Sequence, residues 1–236
     1  MSLNNIKLFS IPFSGGNAYS YSPFRKYLPE NIELRSLELP GRGKRFSETL
    51  LKSIDAMTED LFRQIENMID GPYAIFGHSL GALLGVTLCR YISERRLNLP
   101  LILILSGQTA PSLIEQDNRY SLPDDEFVNM LRQMEGTPEE LLGDKDFIRF
   151  FLPIIKADFQ AIGCYSYSPP ENMPETPISI VLGSKENIRD EDAAQWKLET
   201  KNAVSVDRFE GGHFFIFNHT ENLCRLIAEK IELAAL

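Results

Sequence analysis

Several short runs in this chain are apolar at consecutive positions, where a strand with one wet face would alternate. Tyr73-Ala74-Ile75-Phe76, residues 99–105 and, but for Ser179, residues 178–182 are of this kind, and each is followed at once or one residue later by glycine. A strand that is apolar on both sides must be covered on both sides, which is the condition of a parallel sheet wrapped by helices. Residues 6–13, 32–39 and 203–209 are further strand candidates. Helical segments alternate with them. Ile54, Met57, Leu61, Ile65 and Met68 recur every three or four residues, and Gly71-Pro72 ends that pattern. Residues 82–94 are rich in helix formers, and Leu223, Ile227 and Ile231 mark a closing helix. The expected class is α/β, with a mostly parallel central sheet and helices on both faces.

The rhythm breaks over residues 111–175, which hold no convincing strand. Helix starts stand there instead, at Leu122-Pro123-Asp124-Asp125 and Thr137-Pro138-Glu139-Glu140. The second has the threonine, proline and glutamate spacing of a capping box. Phe127, Leu131 and Met134 fit one helical face, and Phe147, Phe150, Phe151, Ile154, Ile155 and Phe159 make a segment apolar on more than one side. This region reads as a helical lid inserted into a single domain spanning residues 1–236.

Gly77-x-Ser79-x-Gly81 sits between an apolar strand and a helical segment. That context turns a common five-residue pattern into a strand-to-helix elbow, which lifts a serine hydroxyl out of the sheet. Ser79 is the candidate nucleophile, and the amide of Leu80, at a helix N-terminus, is a candidate oxyanion donor. A serine needs a base. Of the three histidines, His78 lies inside the elbow and His219 is placed to cap the last helix. His213 follows Gly211-Gly212 after the last strand candidate, where the order serine, acid, histidine of α/β-hydrolases puts the base. The acid should leave the end of the strand at 178–182. Glu186 is favoured because it lies three residues past Gly183; Asp190 and Asp192 are the alternatives. A second oxyanion donor is expected in the loop Phe13-Ser14-Gly15-Gly16, from the amide of Ser14 or else of Gly15.

Charge and cysteine usage narrow the function classes. With 33 acidic and 24 basic residues the net charge is −9, which argues against a nucleic-acid binder. The cysteines Cys89, Cys164 and Cys224 are odd in number, widely spaced and flanked by apolar residues, so all three are expected to be buried thiols in a reducing compartment. No apolar run approaches the roughly 20 residues of a membrane span, and residues 1–5 lack the pattern of a secretory signal. A cytoplasmic monomer without metal is the expectation.

Ile11-Pro12-Phe13-Ser14-Gly15-Gly16, Leu39-Pro40-Gly41-Arg42-Gly43, Gly71-Pro72-Tyr73-Ala74-Ile75-Phe76-Gly77-His78-Ser79-Leu80-Gly81, Lys156-Ala157-Asp158-Phe159 and Gly211-Gly212-His213-Phe214-Phe215 together resemble the type II thioesterases that accompany nonribosomal peptide and polyketide synthases. The resemblance runs from near residue 6 to near residue 230. It implies an α/β-hydrolase fold with a lid, no cofactor, and hydrolysis of acyl thioesters carried on the phosphopantetheine arm of a carrier protein, the usual service being removal of misprimed or stalled groups. It assigns Ser79 as nucleophile and His213 as base. The family usually has aspartate at the acid position, whereas this chain has Gly183-Ser184-Lys185-Glu186, which keeps Asp190 in play. An acidic carrier would need local basic ground on an acidic enzyme, and Arg42, Lys44 and Arg45, or Arg90, Arg95 and Arg96, could provide it. A small-ester esterase with the same residues and a non-catalytic binding module are the rival readings.

Overall fold

The computed structural model describes residues 5–134 and 144–236. The Thr137–Glu140 capping box, the first four residues and the Phe147 side chain lie outside what is described. Six strands form one sheet: β1 (Ile6–Ile11), β2 (Ile32–Ser36), β3 (Tyr73–His78), β4 (Leu103–Ser106), β5 (Ile178–Gly183) and β6 (Val204–Phe209). Their order is β2-β1-β3-β4-β5-β6, and every pair is parallel. The doubly apolar runs are explained by two cores, one on each face. Phe9, Ile11, Ile75, Leu103, Leu105, Ile180 and Leu182 turn to one side, against α1 (Ile54–Ile65) and α2 (Leu80–Glu94). Leu8, Phe76, Ile104 and Val181 turn to the other, against the closing helix, numbered α7 below, which contributes Leu223, Ile227 and Ile231.

The strands are shorter than the apolar runs. Residues 12–13 and 37–39 lie beyond β1 and β2, yet Leu37 and Leu39 are buried. Leu37 still donates its amide to the Ser10 carbonyl at 2.9 Å; Leu39, beyond it, is apolar because the loop at this end of the sheet is covered. The apolar run at 99–105 also overshoots at 99–102, since β4 begins at Leu103.

The order of strands reverses between β1 and β3, which places their carboxyl ends side by side at a switch point, the usual position for a site in an open α/β sheet. Between β4 and β5 the chain forms α3 (Asp124–Gln133) and α4 (Lys145–Gly163). Phe127, Val128, Leu131, Leu152 and Ile155 pack into a third, small apolar cluster of their own, each such side chain contributing about 1.5–3 kcal/mol. Met134 does not join the Phe127–Leu131 face; it is exposed. Two short helices, α5 (Asp190–Ala194) and α6 (Phe215–Asn218), and then the longer closing helix α7 (Thr220–Ala234) follow β5 and β6 in the chain.

Two sequence readings are corrected here. Cys89 and Cys224 are buried, but Cys164, at the end of α4, is exposed, with its sulfur 3.6 Å from the Tyr120 hydroxyl. The flanking residues are apolar, yet Cys164 follows the last helical turn and points outward. His219 occupies the first position before α7 but does not cap it with its side chain; its Nε2 pairs with the Glu210 carbonyl at 2.8 Å.

Candidate active site

Ser79 stands at the junction of β3 and α2 with φ 55° and ψ −119°. This is a left-handed conformation that a residue with a side chain adopts at a cost of about 1–3 kcal/mol. Its flanking glycines have a steric reason. A Cβ on Gly77 would sit 2.0 Å from the Gly81 carbonyl oxygen, and one on Gly81 would sit 2.2 Å from the Ile11 carbonyl oxygen. The turn is therefore wedged against the end of β1. The Ser79 amide donates to the Ser106 carbonyl at 2.8 Å, which ties the elbow to β4.

Beyond β5 a tight turn carries the acid candidate. Glu186 donates its amide to the Gly183 carbonyl at 3.2 Å and folds its side chain back. Glu186 Oε2 accepts the Gly183 amide at 2.7 Å, and Oε1 lies 2.6 Å from His213 Nδ1. The carboxylate is 7% exposed and the imidazole 29%. The two loops are laced together: Lys185 donates to the Gly211 carbonyl at 2.9 Å, and a Cβ on Gly183 would meet the Gly212 oxygen at 2.6 Å. Asp190 and Asp192 go elsewhere. Asp190 pairs with Arg208 at 2.8 Å in the open, and Asp192 closes the start of α5 by accepting from the Arg189 amide at 3.1 Å. Neither meets an imidazole. Ser79, Ser14, Glu186 and His213 line one cavity of about 1030 Å³, whose apolar wall includes Leu131, Ile155, Phe159 and Ile162. No hydrogen bond joins Ser79 to His213, a contact that commonly closes only around substrate.

His78 is buried, with Nδ1 2.9 Å from Ser106 Oγ and its ring centroid 4.7 Å from that of His213. Burial, and then the neighbouring His213, push its pKa well below the ordinary 6.5, so it stands as a neutral ring behind the half-buried imidazole of His213. Phe214 flanks both rings.

The loop after β1 is held from outside itself. Gly16 donates to the Phe13 carbonyl at 2.8 Å, and Gly15 has φ 76°, the left-handed value that the third position of a type II turn requires. The Gly15 amide is committed: it donates to Asp158 Oδ2 at 2.8 Å. Of the two candidate donors in this loop, Ser14 is the one left facing the cavity. Asp158, on α4, is itself bound by Arg42 through two parallel contacts of 2.8 and 2.7 Å.

That pair overturns part of the basic-surface reading. Arg42 is 2% exposed and Asp158 fully buried. Arg45 is paired with Asp60 and Glu48, which leaves Lys44 as the exposed cation of that group. In the second group Arg90 is bound to buried Glu199, while Arg95 and Arg96 stay exposed. Sequence reasoning missed the link between Arg42 and Asp158 because 116 residues separate them. It also missed Glu38, whose carboxylate accepts the Ala18 amide at 3.0 Å and the Lys44 amide at 3.3 Å. Among the described residues no group of three or more His, Cys, Asp or Glu side chains is placed to hold a metal ion, and no helix is long and apolar enough to cross a membrane.

A parallel sheet with a serine on a strand–turn–helix elbow, and a histidine bonded to a carboxylate beyond later strands, defines an α/β-hydrolase-type fold. The thioesterase domain family matches residues 6–231. The chain is 32% identical over 230 residues to the gramicidin S biosynthesis protein GrsT of Aneurinibacillus migulanus, covering 97% of this chain and 90% of that one. Its structure resembles that of ClbQ from the colibactin NRPS/PKS pathway, with TM-score 0.92, 30% identity, and 98% and 99% of the two chains covered. It also resembles the type II thioesterase BorB from the borrelidin biosynthetic cluster, with TM-score 0.87, 30% identity, and 96% and 93% covered. The chain belongs to the thioesterase family, and is by that membership a hydrolase.

Proposed function

We propose that this protein is a serine thioesterase that hydrolyses acyl groups from the phosphopantetheine arm of a carrier protein, clearing misprimed or stalled intermediates beside a nonribosomal peptide or polyketide synthase. The observation that carries the reading is the 2.6 Å contact between Glu186 and His213 on the wall of the cavity that Ser79 enters. The pathway assignment draws on the names of its relatives, the gramicidin S biosynthesis protein GrsT and the type II thioesterase BorB.

Ser79 Oγ attacks the thioester carbonyl while His213 takes its proton. Glu186 holds the imidazole by its Nδ1–H and stabilises it when charged, without taking the proton itself. The Leu80 and Ser14 amides receive the oxyanion. The tetrahedral intermediate collapses, the carrier thiol leaves with the proton from His213, and an acyl-Ser79 ester remains. Water, deprotonated by His213, attacks that ester; the intermediate collapses, Ser79 Oγ leaves with the proton returned by His213, and the acid is released. Thiolates leave readily, so positioning and oxyanion stabilisation carry most of the barrier reduction. No metal or redox cofactor enters these steps. Residues 111–175 act as a lid, with α3 and α4 holding a core of their own, and Leu131, Ile155 and Phe159 favour apolar acyl groups. The enzyme works as a cytoplasmic monomer in this reading.

A panel of acyl-loaded carrier proteins, with matched small esters beside it, tests the proposal. Turnover of carrier-bound thioesters that vanishes in Ser79→Ala is expected. Equal or better turnover of free esters would make it an esterase. Failure of a fluorophosphonate to label Ser79 would make it a binding module.

A further inference from the structure

We infer that Asp158, clamped by Arg42, is a positioning residue for the oxyanion hole, acting through the Gly15 amide. The inference rests on the reading of Ser14 as an oxyanion donor. Neither Asp158 nor Arg42 lines the cavity, so neither can touch substrate there. Their reach into the site is indirect. Phe13-Ser14-Gly15-Gly16 is a turn with its third residue at φ 76°, and such a turn has a competitor. Types I and II share their end points and differ by a flip of the central peptide, which here is the Ser14–Gly15 peptide. In the flipped form the Gly15 N–H would point to the opposite side. By accepting that N–H at 2.8 Å, Asp158 Oδ2 selects one orientation. The flip itself changes ψ of Ser14 and φ of Gly15 and leaves the Ser14 N–H on the preceding peptide; what holds that N–H is the anchor, which ties the next residue to α4 and keeps Ser14 at the cavity wall.

Two further contacts at the turn agree with this role. Arg42 Nη1 also reaches the Gly16 carbonyl at 3.4 Å, so the guanidinium grips the turn as well as the carboxylate. Ile155, one helical turn before Asp158 on α4, closes on the turn so tightly that a Cβ on Gly15 would lie 2.9 Å from its Cγ1. A helix of the insertion thus presses on the donor loop with a carboxylate and a methylene at once. A buried ion pair is a poor device for stability, because two apolar residues of similar volume often do as well. Those residues could not receive an amide. The carboxylate is the part with a use at this place, and Arg42 is what allows a carboxylate to be buried there.

Two neutral replacements of the pair separate the roles. Arg42→Gln/Asp158→Asn removes both charges but keeps a side-chain oxygen for Gly15. Arg42→Met/Asp158→Leu removes the charges and the oxygen. Steady-state hydrolysis of an acyl-loaded carrier protein is measured for both, with near-ultraviolet dichroism to verify folding. The expected result is kcat within about threefold of wild type for Gln/Asn, and about 10- to 100-fold lower for Met/Leu with KM nearly unchanged. Wild-type kcat in Met/Leu, or equal losses in both, would overturn the inference. If Met/Leu does not fold, Arg42→Gln/Asp158→Ala takes its place with the same expectation. Ser79→Ala in the same assay keeps the two proposals apart. If it still turns over, the parent reading fails whatever the pair does; if it is inactive while Met/Leu is as fast as wild type, the positioning role alone fails.

Discussion

Two carboxylates in this molecule are built alike and stand in opposite settings. Glu186 and Asp158 each accept a glycine amide, from Gly183 at 2.7 Å and from Gly15 at 2.8 Å. Each also holds a nitrogenous side chain, His213 and Arg42 respectively. Glu186 faces the cavity through a partner that is partly exposed and, as the proposed base, takes up and returns a proton during the reaction. Asp158 is sealed with a partner that is always charged. The same local construction gives a group that can change state during a reaction, or one that cannot, according to the partner and its access to water.

The largest way to break the comparison is at Glu186. Glu186→Gln should cost about 10⁴ in kcat, by analogy with loss of the orienting carboxylate in a serine–histidine–acid triad, while the thermal midpoint moves little. Asp190→Ala, run as the control, should leave kcat within about twofold, since its partner is the exposed Arg208. Stopped-flow release of the carrier thiol checks both. The reverse pattern is expected at Asp158. Asp158→Ala strands a buried guanidinium and should lower stability by about 3–5 kcal/mol in urea titration, with most of that returned in Arg42→Met/Asp158→Leu.

Ser79 sharpens the contrast from the other side, because there function is held at the expense of the fold. Ser79→Gly should abolish turnover and raise stability by about 1–2 kcal/mol, by relieving the left-handed backbone. A thermal midpoint that falls would show that the elbow is not strained. The smallest effect lies behind the switchable pair, at His78. Its folded pKa is depressed, so below about 6.5 the unfolded chain binds a proton that the folded chain refuses. The stability present above 6.5 is then lost as pH falls, by about 1 kcal/mol between pH 6.5 and 5.5. Chemical denaturation at the two values, in wild type and in His78→Asn, should show a shallower dependence in the variant.

How legible each half of the comparison was in the sequence follows from distance along the chain. Glu186 could be picked out by counting from Gly183, because a three-residue turn has few places to send a side chain. Ser79 and His213 were marked by glycines whose steric need is local to a turn. The apolar strands were visible because covering both faces leaves few polar positions, a buried serine such as Ser10 or Ser179 being the exception. Arg42 was misread as surface charge: a lone arginine in a glycine loop has no local sign of burial, and its partner lies in a helix far along the chain. The type II turn at Gly15 left the choice between two donors open until Asp158 was seen to occupy one of them. The strand ends were overrun at residues 12–13 and 37–39 because a covered loop is as apolar as a strand.

The three thiols have a practical consequence. Burial pushes Cys89 and Cys224 up to about 12, which makes them inert to ordinary alkylating dyes at neutral pH. Cys164 is exposed directly after the last turn of α4, the helix that carries Asp158. The wild-type chain therefore already offers one selective attachment point for a fluorophore or spin label, and a probe there would report the position of α4 during turnover without a single engineered residue.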